Sequence, residues 1–120
     1  FVALALTPET QQVIGGAELA LMKHTAWIVN VARGGHIDTA ALVTALQDEA
    51  IGGAALDVTE PEPLPDGHPL WTLPNCLITP HVANTPEMGL ELLARRVTSN
   101  VERYLADQQL LGPVNTKAGY

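Results

Sequence analysis

Residues 26–58 read AWIVNVARGGHIDTAALVTALQDEAIGGAALDV, and that stretch decides the fold. Ala26–Val31 is apolar and β-branched, the composition of a strand buried on both faces. Gly34-Gly35 break it. Asp38 is a good N-cap for a helix from Thr39 to about Glu49, with Leu42, Ala45 and Leu46 on its inner face. Gly53–Val58 is a further buried strand, with Asp57 near its carboxyl end. Strand, helix, strand in this order predicts parallel pairing through a right-handed crossover.

The same alternation extends both ways. Phe1–Leu6 (FVALAL) is a short apolar run stopped by Thr7-Pro8, which fits another strand buried on both faces. Ala17–Lys23 (AELALMK) follows Gly15-Gly16 and predicts a short helix. Downstream, four prolines between Glu60 and Pro69 (EPEPLPDGHP) forbid regular structure and restrict the loop they form. Trp71, just after it, is expected to plug the loop against the domain. Cys76–Thr79 is a fourth strand, stopped by Pro80. Asn84 or Thr85 caps a last helix that runs to about Ala106, with Pro86 in its first turn. Leu90, Leu93, Ala94, Val97, Val101, Tyr104 and Leu105 form its apolar stripe. The tail from Gly112 to Tyr120 is expected to fray. The fold class is therefore α/β with a parallel sheet.

Composition supports a folded chain and narrows its partners. Of 120 residues, 47% are hydrophobic and 16% charged, against disorder. Six Lys+Arg against 13 Asp+Glu give a net charge of −7, so nucleic acid and anionic membranes find no electrostatic grip. No apolar run reaches the roughly 20 residues that span a bilayer. The single cysteine, Cys76, permits no intrachain disulfide, and a reducing, cytoplasmic setting is expected. The chain opens on Phe1 in mid-pattern, which leads us to expect part of something longer.

In parallel α/β sheets, ligands sit at the carboxyl ends of the strands. Three of the four strand ends carry an ionisable residue: Arg33, Asp57 and His81. Arg33, before two glycines, offers a fork of donors to a carboxylate. His81 can exchange a proton with a carbonyl oxygen near neutral pH. Glu60 or Glu62, in the proline-rich loop, would orient that ring and stabilise its charged form. Asp57 can accept hydrogen bonds from a ligand amide. Each also has a plain reading: a surface arginine, a strand-capping histidine, two solvated acids, a turn aspartate. His24, His36 and His68 show no metal-ligand spacing and read as surface or satisfied loop residues. Hydrolase and phosphate-loop motifs are absent.

LTPET (6–10), VNVARGG (29–35), GAALDVTEPEPLP (53–65), HPLW (68–71) and ITPHVAN (78–84), in this order and spacing, closely resemble the D-isomer-specific 2-hydroxyacid dehydrogenases. The resemblance covers about residues 2–106. It implies the second half of a Rossmann-type parallel sheet over residues 1–83, a long helix over 84–106 returning toward a substrate domain, and a tail over 107–120. It implies hydride transfer between NAD (or NADP) and the 2-carbon of a 2-oxo or D-2-hydroxy acid. By position, Arg33 matches the substrate-binding arginine, His81 the proton donor and Glu62 its carboxylate partner. Asp57 matches the acid at the nicotinamide carboxamide. Val31, Ala32 and Leu4 match further cofactor contacts, alongside Arg33 and His81. No metal is implied, and the partners are a small acid and other copies of the chain, as a dimer or other homo-oligomer. Two departures stand out. The phosphate-binding G-x-G-x-x-G, which the family places upstream, is not in this sequence, and Ala5 replaces a usual proline. A dinucleotide-sensing binding module, without catalysis, is the alternative that the same motifs leave open.

Overall fold

A computed structural model describes residues 1–117. Two compact units are present: Phe1–His81, and a second that begins at Val82.

The first unit is built on a parallel sheet of β1 (Trp27–Asn30), β2 (Gly53–Leu56) and β3 (Cys76–Ile78), in that order. Trp27 faces Gly53, and Ala54 faces Cys76, so the three carboxyl ends lie together. The strands form where β-branched and small apolar residues cluster; Ile28, Ala54 and Leu56 lie in the core. Helix α1 (Gly16–Ala20) packs against α2 (Thr39–Gln47). Asp38 caps α2 as expected, its carboxylate accepting from Ala41 N at 3.1 Å. Leu42, Ala45 and Leu46 are the buried face. Leu19 of α1 and Ile51 complete this side of the core.

The first expected strand is not there. Phe1–Leu6 contributes a single parallel bridge, Val2 to Asn30, and only Val2 of the run is buried. The cause is a turn just beyond it. The Thr10 hydroxyl accepts from Thr7 N (2.8 Å) and donates to Ala5 O (2.7 Å), and Thr10 N and Gln11 N both donate to Thr7 O. Threonine hydroxyls that satisfy the local backbone in this way compete with a sheet ladder. Phe1 is 97% exposed.

The proline-rich loop is held at both ends and in its middle. Thr39 Oγ1 donates to Glu60 O (2.7 Å), Thr59 Oγ1 to Pro61 O (2.9 Å) and Trp71 Nε1 to Pro65 O (3.0 Å). Leu64 and Leu70 sink into the core. Trp71 does not plug the loop: it is half-exposed and ties the loop through its indole N–H, while Leu70, beside it in a short 3-10 helix (Pro69–Trp71), is the buried plug.

In the second unit, α3 (Pro86–Leu105) starts after Thr85 with Pro86 in its first turn, as expected. The apolar stripe from Leu90 to Leu105 is exposed, and no residue of α3 is buried. Glu91 and Arg95 pair one turn apart at 2.6 Å. Asn100 holds Leu111 through both its amide nitrogen and its carbonyl. The expected fraying of 112–120 reaches beyond the described residues at 118–120.

Cys76 is a free, half-buried thiol in β3. Burial pushes it above its ordinary pKa, because desolvation disfavours the thiolate. Its thiolate fraction at pH 7.5 is thus smaller than that of an exposed thiol. We expect maleimide labelling of the folded protein to run at least several-fold slower than that of glutathione at the same pH, and to equalise in urea. Equal rates in the folded state would contradict the burial.

Candidate active site

The carboxyl ends of β2 and β3 open into a cleft of about 260 Å³ lined by Asp57, Thr59, Glu62, Trp71, Thr79 and His81, among others. A larger cavity of about 380 Å³ opens at the amino ends of β2 and β3, beside Leu46, Ile51, Gly52 and Asn75. It contains none of the candidate site residues. Strand direction, rather than size, makes the smaller cleft the candidate site.

His81 is placed by the stop of β3. Thr79 N donates to Leu56 O (2.9 Å) and continues the ladder, Pro80 ends it, and His81 N turns back to Thr79 O (3.0 Å). His81 then adopts φ +56°, a left-handed conformation that a residue with a Cβ seldom takes. Such local strain is common where a side chain must point at a ligand. Its Nδ1 lies 2.8 Å from Glu62 Oε1. A carboxylate can only accept, so Nδ1 carries the hydrogen and donates. This fixes the ring and leaves Nε2 as the position for an exchangeable proton.

Glu62 reaches His81 because the anchored loop presents it there. Both are partly exposed, with side-chain exposures of 40% and 47%. A pair this wet contributes about 0–1 kcal/mol to stability. Its value lies in orientation rather than in holding the fold. Asp57 is buried, and its Oδ1 accepts from the Thr79 hydroxyl at 2.6 Å. The acid is thereby fixed at the floor of the cleft, where a carboxamide could donate to it. Glu60, the other loop acid considered, is exposed and does not line the cleft.

Arg33 stands apart from this group. It follows β1, is exposed, and does not line the cleft; its Nη1 donates to Ala32 O at 2.6 Å. Its backbone, in contrast, is fixed. Asn30, 1% exposed, accepts from Ala32 N (3.0 Å) and donates to Arg33 O (2.9 Å). Gly34, next in the chain, packs directly on the Thr59 carbonyl. Val31 and Leu4 are both partly exposed, and Ala32 is half-buried against the core.

Two residues escaped the sequence reading. Asn30 is a polar residue inside an apolar strand run, and that oddity was a usable signal. His36, whose sequence context suggests a surface or satisfied loop residue, is fully buried, inside a short 3-10 helix (Gly34–His36). Nothing in the local sequence announces this. Among the described residues, no group of three His, Cys, Asp or Glu could hold a metal ion. No described helix is long and apolar enough to cross a membrane.

Comparison with known proteins identifies the scaffold. Residues 1–83 match the model of the D-isomer specific 2-hydroxyacid dehydrogenase, NAD binding domain. An uncharacterized protein of Corynebacterium melassecola is 48% identical over 117 residues, 98% of this chain and 38% of that protein. Glycerate dehydrogenase of Methylorubrum extorquens is 46% identical over 103 residues, 84% of this chain and 33% of the enzyme. The chain thus spans between 21% and 38% of the length of these and similar curated relatives. Among solved structures, a D-isomer specific 2-hydroxyacid dehydrogenase of Xanthobacter autotrophicus in complex with NADPH and MES superposes with a TM-score of 0.87. It is 41% identical, over 99% of this chain and 48% of that one. The parallel sheet, the order of its motifs and these matches together mean that the chain belongs to the D-isomer-specific 2-hydroxyacid dehydrogenases, as an α/β, Rossmann-type unit of that family.

Proposed function

We propose that this chain carries the proton-transfer part of an NAD(P)-dependent oxidoreductase acting on a 2-oxo acid and the corresponding D-2-hydroxy acid. The observation that carries the reading is the 2.8 Å contact between His81 Nδ1 and Glu62 Oε1, at the cleft floored by Asp57. The residues fit a nicotinamide dinucleotide: Asp57 supplies a fixed carboxylate acceptor for a carboxamide, beside a histidine with one nitrogen already committed. When bound, that cofactor supplies or accepts the hydride.

The chain's own residues do the rest. His81 donates a proton from Nε2 to the substrate oxygen during reduction and takes it back during oxidation. Glu62 holds the ring in the tautomer that makes this possible and faces the positive charge it carries when protonated. Arg33 releases Ala32 O and turns to the substrate carboxylate, binding it with two parallel hydrogen bonds and stabilising charge on the reacting oxygen. We assign Arg33, Glu62 and His81 as catalytic, and Leu4, Val31, Ala32, Arg33, Asp57 and His81 as cofactor contacts. Residues 1–83 would form the second half of the cofactor domain, 84–106 a connecting helix and 107–120 the tail. The partners we assign are a small 2-oxo or 2-hydroxy acid and other copies of the chain.

The test is an assay of the complete gene product against a panel of 2-oxo acids, glyoxylate, hydroxypyruvate and pyruvate included, with NADH and NADPH. Oxidation of either cofactor that depends on a 2-oxo acid is expected. Cofactor binding without turnover on any panel member would favour a dinucleotide-sensing module instead.

A further inference from the structure

The Arg33 carbonyl collects three donors. Asn30 Nδ2 lies 2.9 Å away, His36 N 3.3 Å and His36 Nδ1 3.0 Å. The acceptor is a carbonyl, so His36 Nδ1 must carry the hydrogen. His36 is 0% exposed, and its Nε2 has no hydrogen-bond partner among the described residues. A buried ring with one orphaned nitrogen is unfavourable relative to an apolar side chain of similar size. What the imidazole supplies here is its Nδ1 hydrogen bond, and that bond ends on the backbone of the one arginine at this rim.

We propose that His36 is a positioning residue for Arg33, acting through the Arg33 carbonyl. The proposal rests on the reading of Arg33 as the substrate-binding residue. The geometry is that of a clamp. Asn30 ties Ala32 N and Arg33 O from the strand side, and His36 ties Arg33 O from the helical turn side. Gly34 is wedged against Thr59 O, so the backbone has no room to move toward the loop. A long, exposed side chain aimed from a fixed Cα loses less freedom when it binds a carboxylate than one aimed from a mobile turn. His36 therefore governs how well the guanidinium is pre-aimed, without touching substrate or cofactor.

The reach of the bond gives a discriminating test in the complete gene product. An asparagine amide nitrogen occupies the place of histidine Nδ1, whereas a glutamine amide extends toward the place of Nε2. With a 2-oxo acid that the parent enzyme reduces, His36→Asn is expected to keep KM for that acid within about threefold. His36→Gln and His36→Leu are expected to raise it by about tenfold or more, and KM for the dinucleotide by less than about threefold. In an Arg33→Ala background the three substitutions should no longer differ, because the group they position is gone. Equal effects of Asn and Gln on KM for the acid, or undiminished differences without Arg33, would overturn the proposal. If His36→Leu fails to fold, the Asn and Gln pair decides the matter alone. Should the parent reduce no acid of the panel, it is the enzyme reading that fails, and isothermal titration of oxalate then reads the same comparison as affinity. Equal oxalate affinity of the Asn and Gln variants would reject the clamp in that case as well.

Discussion

His81→Ala in the complete gene product is expected to lower kcat for 2-oxo acid reduction by two to four orders of magnitude. That corresponds to about 3–5 kcal/mol of transition-state stabilisation. The size of the effect separates chemistry from architecture. His81 is about half exposed, and it pairs with a carboxylate that is itself 40% exposed. Losing such a pair changes stability by about 1 kcal/mol at most. The backbone adds no relief, because alanine, like histidine, must take the left-handed conformation at this position. A fall in kcat of a hundredfold or more, with a thermal midpoint within a few degrees of the parent, can then only be loss of the proton donor. Dinucleotide affinity should fall far less than kcat, because His81 is one of six assigned cofactor contacts and Asp57 stays bonded to Thr79 at the cleft. A decline of less than fivefold would mean that another group, or water, delivers the proton, and the mechanism proposed for this chain would be wrong.

Most of this site was legible because strand ends in a parallel sheet carry positional information. His81 follows an apolar triplet and a proline, and Asp57 follows Gly53–Leu56; both places can be read before any coordinate is known. The pairing of His81 with Glu62, 19 residues apart in the chain, was legible only through the family's order of motifs. No periodicity specifies how a loop with four prolines folds back. The failures have physical causes of the same kind. An apolar run such as Phe1–Leu6 reports a preference for burial, not the presence of a neighbouring strand. Here the Thr10 hydroxyl captures the backbone of Ala5 and Thr7 first. The helical spacing in α3 predicted an apolar stripe correctly but says nothing of what covers it. His36 reads as a loop residue because it follows two glycines outside any apolar periodicity, although it is fully buried.

The close approach of Gly34 to the Thr59 carbonyl yields the largest expected effect on stability. A Cβ at Gly34 would overlap the Thr59 carbonyl group and lie 2.5 Å from Glu60 N. Neither side can retreat. Thr59 is buried, Thr59 Oγ1 is bonded to Pro61 O, and Glu60 O is bonded to Thr39 on α2. On the other side, Asn30 and His36 hold Arg33 O. Backbone thus meets backbone, with no flexible side chain to absorb a methyl group. Gly34→Ala is therefore expected to destabilise by about 3 kcal/mol or more, at or beyond the upper range for overpacked cores. Gly35→Ala is the control. Its Cβ would lie 3.2 Å from Leu6 Cδ2, the end of a partly exposed side chain that can swing aside. The cost there is expected to be about 1 kcal/mol or less. Urea unfolding of the complete gene product should show a large drop in midpoint for the first variant and a small one for the second. Similar midpoints for both would mean that β1 and the proline-rich loop do not meet at Gly34. The loop bearing Glu62 would then lack the support that brings its carboxylate to His81.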